Sequence, residues 1–258
     1  TWNKDVLRNF GICNVETLFQ GVDPQLFKLQ ERKNSDHFVV FSGGKLEYRK
    51  GQDIVAAAFR EFHKRHPEAM LATAWHNLWP ETMKDISLRG HVEGMPEQGE
   101  NKRLDIVGWL EQNGIPRDAV HDFGIFPNHL MPEAFAQSDV ALFTNRCEGG
   151  TNLVAMEAMA CGVPCIIAAN TGQLDLIDDG NCIPLLRQGP VEKTLGFSGT
   201  EGWGESDVAE VVDALEMAYS DRRKREEIGV RGALFMRDWS WEKVVRNLLE
   251  FIDHEHTH

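Results

Sequence analysis

Two stretches of this chain carry residues able to do chemistry. The first, "RCEGGTNLVAMEAMACG" (146–162), places Glu148 just before a run of small, apolar helix formers and Glu157 inside it. Gly149 and Gly150 let a backbone approach a ligand closely. Thr151 or Asn152 is the type of residue that caps a helix, and the free N–H groups of a helix start suit a phosphate. Glu157 follows roughly 8 Å further along the axis at about 1.5 Å per residue. A carboxylate accepts hydrogen bonds and donates none, so it fits the cis-diol of a ribose attached to that phosphate. Met156, Ala158, Met159 and Ala160 make the helix apolar almost all round, and a glutamate in such surroundings needs partners.

The second stretch is "SGGKLEYRKG" (42–51). Gly43 and Gly44 permit a tight turn. Lys45, Arg49 and Lys50 then set three cations ahead of a helix, where the helix dipole favours anions. A bound diphosphate would compensate. The stretch lacks the GxxxxGK[ST] of a P-loop, and no GxGxxG follows a strand anywhere. In a third stretch, "ANTGQLDLIDDG" (169–180), Gly172 follows a strand and precedes a helix, so its backbone can face the same cleft, while Asp175 reads as a structural or capping residue. No DxD occurs, so no divalent metal is expected in catalysis. Cations and helix N-termini would take the leaving-group charge instead.

The elements that must position these residues are legible. Apolar runs at 37–42, 69–75, 119–124, 140–144, 164–169 and 182–186 read as strands. Helical patterns at 51–66, 103–114, 131–138 and 151–162 alternate with them. This predicts an α/β fold with a doubly wound parallel sheet, covered on both faces. Ligands of such sheets bind at the carboxyl ends of the strands. Gly-rich 194–207 reads as a loop, and 207–219, 221–236 and 240–253 read as extra C-terminal helices.

Composition narrows the class. The chain has 258 residues, is 42% hydrophobic and 26% charged, and carries a formal net charge of −13. That balance excludes broad nonspecific nucleic-acid binding. No apolar run is long enough for a membrane span. The opening "TWNKDVLRNFGI" lacks the apolar core of a signal peptide, and an amphipathic start without Met is what a piece of a longer chain would show. Five cysteines without CxxC spacing point to a reduced, cytoplasmic setting and to packing roles. The alternating His254, His256 and His258 read as a solvated end in preference to a metal tail. His76 stands at a strand end, where it either lines the cleft or packs. Trp75 and Trp79 read as packing first and sugar-stacking second.

Taken together, "FSGGKLEYRKGQDIVAAAF", "EGGTNLVAMEAMACGVPCI" and "TGQLDLIDDGN" resemble the Rossmann-like donor-binding domain of a GT-B glycosyltransferase of the group 1, family 4 type. The resemblance covers nearly the whole chain. It implies three parts: 1–36 as an interdomain segment following an acceptor-binding domain that is absent from this chain, 37–237 as the donor domain, and 238–258 as a crossover helix and tail. It implies that Lys45 and Lys50 bind the donor diphosphate and that Glu157 holds the ribose. Glu148 resembles the first of the family's paired glutamates, which contacts the transferred sugar. One residue more than usual separates the pair here, so either Glu148 or Gly149 occupies that place. The backbone of Gly44, Gly150, Thr151, Asn152 and Leu153 would face the sugar and phosphates, and Gly124, Ile125 and Phe126 would frame the base. The implied reaction is retaining, metal- and cofactor-independent transfer from a UDP-sugar or other nucleotide sugar to a glycan or similar acceptor. Implied partners are the acceptor-binding domain, a membrane surface reached through it, and a second copy meeting at the terminal helix. Two other readings stay open: a nucleotide-sugar binding module without catalysis, and a GT-B epimerase.

Overall fold

A computed structural model of the chain describes every residue except Asn34, Glu100, Asn101, Leu195, Phe197, Ser198 and 256–258; side chains of 254 and 255 are also left aside. Two of the three terminal histidines, His256 and His258, thus lie outside the described residues, as does the side chain of His254.

The chain begins with α1 (Trp2–Asn9) and an extended stretch that leads to β1 (Phe38–Lys45). Then follow α2 (Gln52–His63), β2 (Ala69–His76), α3 (Ile106–Gln112), β3 (Val120–Asp122), α4 (Met131–Ala136), β4 (Val140–Phe143), α5 (Leu153–Ala160), β5 (Cys165–Ala168) and β6 (Ile183–Leu185). The first six strands form one parallel sheet in the order β3-β2-β1-β4-β5-β6. The central strands β4 and β5 are buried on both sides, with all four residues of each inside, so their apolar runs are continuous. The order reverses between β1 and β4, and a crevice opens there at the carboxyl ends.

Two cores cover the sheet. One packs Ile54 and Phe59 of α2, Trp109 of α3 and Leu71 and Trp75 of β2. The other packs Phe135 of α4, Met156 and Met159 of α5 and Phe41 of β1. Four of the five cysteines are buried and all are free thiols. Burial pushes the thiols of Cys161 and Cys182 up to about 12, which suits packing and not redox chemistry.

The C-terminal third departs from expectation in two places. Within the Gly-rich stretch, β8 (Glu205–Ser206) pairs antiparallel with β7 (Gln188–Gly189), so part of the expected loop is a small ribbon. The segment after β5 closes as a 3-10 turn over Thr171–Leu176 where a helix was expected. Helices α6 (Val208–Ser220), α7 (Arg222–Met236) and α8 (Trp241–Glu255) follow. The start of α8 joins the early chain, because Val22 N–H donates to Trp239 O at 2.8 Å and Trp241 N–H to Val22 O at 3.3 Å. Trp241, Val245, Leu249, Phe251 and Ile252 stay exposed on α8, while Val244 is buried. Among the described residues no helix is long and apolar enough to cross a membrane.

Candidate active site

The β1–α2 connection is a cation-bearing turn. Gly44 has φ +129° and open space where a side chain would stand. Tyr48–Lys50 make a 3-10 turn that ends at Gly51 in the left-handed region, φ +69°. A Cβ on Gly51 would lie 2.2 Å from Thr144 O, so glycine lets this turn press against the end of β4. The three cations do not stand uncompensated, contrary to the expectation from the helix dipole. Glu47, buried, takes Lys45 at 3.0 Å and Arg49 at 2.6 Å. Glu148, also buried, takes Arg49 at 3.1 Å and Lys50 at 2.5 Å. Three cations against two carboxylates leave this group with one excess positive charge. Burial opposes the charge on Arg49, but Glu148 and Glu47 raise its pKa.

The β4–α5 loop brings Glu148 to those cations. Its carboxylate also accepts from Asn145 Nδ2, and its N–H donates to Thr171 Oγ1 at 2.9 Å. Gly172 N–H donates to Glu148 O at 3.1 Å. A Cβ on Gly172 would lie 1.8 Å from Gly150 O. Gly172 therefore packs against the glycine loop, and as expected it lines the same cleft as Gly149, Gly150 and Thr151. Gly149 and Gly150 are exposed. Asn152, not Thr151, caps α5, its Oδ1 accepting from Ala155 N–H at 3.3 Å; Thr151 Oγ1 turns to Met156 Sδ at 3.0 Å. Leu153, the first residue of α5, is exposed.

Glu157 has a partner, as its apolar surroundings require: Asn128 Nδ2 donates to Oε1 at 2.9 Å. Burial raises the Glu157 pKa and the Asn128 bond opposes this. Through Asn128 the turn after β3 is drawn to α5. That turn carries Gly124 at φ +62°, an exposed Ile125 and Phe126, whose ring packs 4.8 Å from Phe123. At the turn's base Thr73 Oγ1 donates to Asp122 at 2.7 Å, and burial raises the Asp122 pKa.

Behind the site lies an ion cluster that the sequence did not disclose. Arg146 is fully buried. It clamps Asp53 of α2 at 2.8 and 2.7 Å, Glu205 of β8 at 3.1 Å, and Tyr48 O at 2.6 Å. Its guanidinium also lies 4.1 Å from the Tyr48 ring. His91 Nε2 approaches Glu205 at 2.7 Å. Burial alone would raise the Glu205 pKa, but bonds from His91 and Arg146 outweigh it and lower it to about 2. Arg146 N–H donates to Arg49 O at 2.9 Å, so this cluster sets the two loops that meet at Glu148. Its acidic partners stand far away in the chain, and no local signal marks them. Glu47 and Asn128 were missed too; only Glu47 had a cue, as the one acid inside a basic run.

Trp75 is core, donating to Ser42 Oγ at 3.2 Å. Trp79 is exposed, with Lys45 Nζ 5.0 Å from its ring. On the other side, α1 lies against the glycine loop, with Asn3 Nδ2 donating to Gly149 O. A cleft of ≈ 420 Å³ remains between them, lined by Thr17, Gln20, Gly149, Gly150 and Thr151 among others. Among the described residues no group of three or more His, Cys, Asp or Glu is placed to hold a metal ion.

A doubly wound sheet with cations, paired carboxylates and a helix start converging at its switch point defines the Rossmann-like half of a GT-B protein. Residues 25–193 match the family model for glycosyl transferases group 1, and the chain belongs to that family. It is 26% identical over 242 residues to a D-inositol 3-phosphate glycosyltransferase of Paenarthrobacter aurescens, covering 89% of this chain and 49% of the relative. It is 25% identical over 252 residues to a GDP-mannose-dependent α-(1-6)-phosphatidylinositol monomannoside mannosyltransferase of Mycolicibacterium smegmatis, covering 92% and 56%. The chain thus spans about half the length of these curated relatives. Sucrose-phosphate synthase of Thermosynechococcus elongatus shares the fold with a TM-score of 0.70 at 16% identity, over 99% of this chain and 57% of that one. HepE of Anabaena, solved in complex with UDP and glucose, does so with 0.64 at 18% identity, over 93% and 57%. The C-terminal domain of a group 1 glycosyl transferase protein from Francisella tularensis is covered over its whole length, with 0.58 at 18% identity and 86% of this chain.

Proposed function

We propose that this chain is the donor-binding half of a glycosyltransferase that moves a sugar from a nucleoside-diphosphate sugar, a UDP-sugar, to a glycan or similar acceptor. The observation that carries the reading is the meeting of Lys50 and Arg49 with Glu148 directly before the start of α5. Lys50 Nζ has three N–H groups, so one bond to Glu148 leaves two for phosphate oxygens. Lys45 and the amides of Gly150, Thr151, Asn152 and Leu153 complete a cradle for the diphosphate. Glu157, oriented by Asn128, accepts from the ribose hydroxyls. Gly124, Ile125 and Phe126, with Gly44 opposite, bound the nucleoside. Glu148 stands where the transferred sugar would lie. The departing diphosphate is stabilised by these cations and by the helix start, without a metal, and the sugar keeps its anomeric configuration. The acceptor is held by a further domain, which the exposed face of α8 and the α1 side of the cleft would meet. Membership of the family and the UDP complex of the like-folded HepE support this reading.

The test is a titration of the chain with UDP-glucose, UDP-N-acetylglucosamine and GDP-mannose, followed by a transfer assay with and without an N-terminally joined acceptor domain. Saturable nucleotide-sugar binding by the chain alone, with transfer only when the second domain is joined, is the expected result. Positioning two reactants contributes about 7–11 kcal/mol, which a lone donor domain lacks. Binding without transfer in either form would leave the binding-module reading standing. An α-linked product from an α-donor, read by NMR at the anomeric proton, would agree with retention.

A further inference from the structure

Residues of a strand point alternately to the two faces of its sheet. In β2, Leu71 and Trp75 pack into the core shared with α2 and α3. Ala72 and Ala74 pack into the other, shared with α4 and α5. His76, the last residue of β2, continues the second row to the carboxyl edge of the sheet. Three groups lie on that face or at that edge. Phe123 and Phe126 lie on the turn after β3, the neighbouring strand on one side. On the other side, β1 pairs Lys45 with His76. The first turn of α5 sits over the end of β1, where a Cβ on Gly43 would lie 3.0 Å from Val154 Cγ1.

The Nε2 atom of His76 is buried and has no hydrogen-bond partner among the described residues. Buried polar atoms are nearly always paired, and leaving one unpaired is costly. An unpaired imidazole nitrogen at the carboxyl edge of the sheet is therefore a group awaiting a ligand atom. Neutral imidazole offers one donor and one acceptor, the same pairing that the edge of a nucleobase presents.

We propose that His76 recognises the nucleobase of the donor, its Nε2 hydrogen-bonding the base edge. The inference rests on the donor-site reading above. Location separates base from phosphate. The cations and the start of α5 gather at the β1–β4 switch point, whereas β2 lies one strand further out, towards the Gly124–Phe126 turn. Glu157, tied to that turn through Asn128, leaves the ribose between the two. His76 is then a specificity residue within the binding cleft, with no part in the transfer step.

Calorimetry with UDP, GDP and inorganic pyrophosphate tests this on the wild-type chain, His76→Phe and His76→Gln. His76→Phe should bind the preferred nucleotide about tenfold more weakly, within the range for one hydrogen bond. It should bind pyrophosphate as the wild type does, and His76→Gln should recover most of the loss. In parallel, the imidazole ¹⁵N resonance of wild-type His76 should shift when the nucleotide is added and stay in place with pyrophosphate, a readout that needs no variant to fold. Equal nucleotide binding by wild type and His76→Phe, an equal loss for pyrophosphate, or an unmoved resonance would each overturn the assignment while leaving the donor site intact. Absence of nucleotide binding by the wild type would overturn the donor-site reading itself, and this inference with it.

Discussion

Lys50 Nζ lies 2.5 Å from Glu148 Oε1, although the two residues stand 98 positions apart. One comes from the turn before α2 and the other from the loop before α5. Their meeting joins the two strand-to-helix connections that flank the switch point of the sheet. Arg49 reaches the other oxygen of the same carboxylate at 3.1 Å and ties it to Glu47. The site is thus a chain of alternating charges that is already assembled before an anion arrives.

The cationic side of this chain should control diphosphate affinity. A Lys45→Ala, Lys50→Ala double variant should weaken UDP binding by at least about 1.5–3 kcal/mol, the scale of one hydrogen bond to a charged group. Calorimetry reads this directly, and unchanged affinity would remove both lysines from the site.

Arg146 should be a stability residue whose loss is felt at the site. Arg146→Met leaves the carboxylates of Asp53 and Glu205 without their main partner in the interior. Removing one partner of a buried pair costs about 3–5 kcal/mol, so urea unfolding should show a loss of that size. A loss below about 1 kcal/mol would mean that the cluster is better hydrated than its burial implies.

Glu205 should give the fold an acid limit. Its folded pKa of about 2 lies below the ordinary 4.5. A depressed carboxyl contributes stability above the unfolded value and loses it as pH falls through the folded one. The contribution should therefore be complete above about pH 5 and fade between pH 4.5 and 2. In Glu205→Gln, the gap in urea midpoint from wild type should be wide at pH 6 and narrow at pH 2.5. A gap independent of pH would contradict the assignment.

Glu157 has the opposite shift, and its consequence falls on binding. Burial raises its pKa above 4.5, so it protonates earlier on acidification than an exposed glutamate. A protonated carboxyl loses its charge and turns one oxygen into a donor, so it holds two donating ribose hydroxyls less well. On acidification, affinity for UDP should begin to fall at a higher pH than an ordinary glutamate would set, and more steeply than affinity for pyrophosphate. Glu157→Gln should bind more weakly at pH 7 and flatten that difference. Parallel pH profiles for the two ligands would place the ribose elsewhere.

Much of this was legible from local pattern. Runs of apolar residues with helical stretches between them specify a buried parallel sheet, because strand and helix periods are properties of neighbouring residues. Glu157 announced itself for the same reason: a carboxylate among Met156, Ala158, Met159 and Ala160 is a local contradiction that only a partner resolves. Which partner was not legible, since Asn128 reaches it from the far side of β4 and α4. The capping of α5 by Asn152 in preference to Thr151 also waited on three-dimensional geometry. The sequence showed three cations and, by local rule, called for an outside anion. Tertiary structure answered with Glu47 and Glu148, one a neighbour in the chain and one brought by the β4–α5 loop. Arg146 makes the same point most fully. Its partners Asp53 and Glu205 lie 93 and 59 positions away. Charges so separated leave no periodic trace, and their pairing is decided only when closure of the sheet and the β7–β8 ribbon removes all three from water.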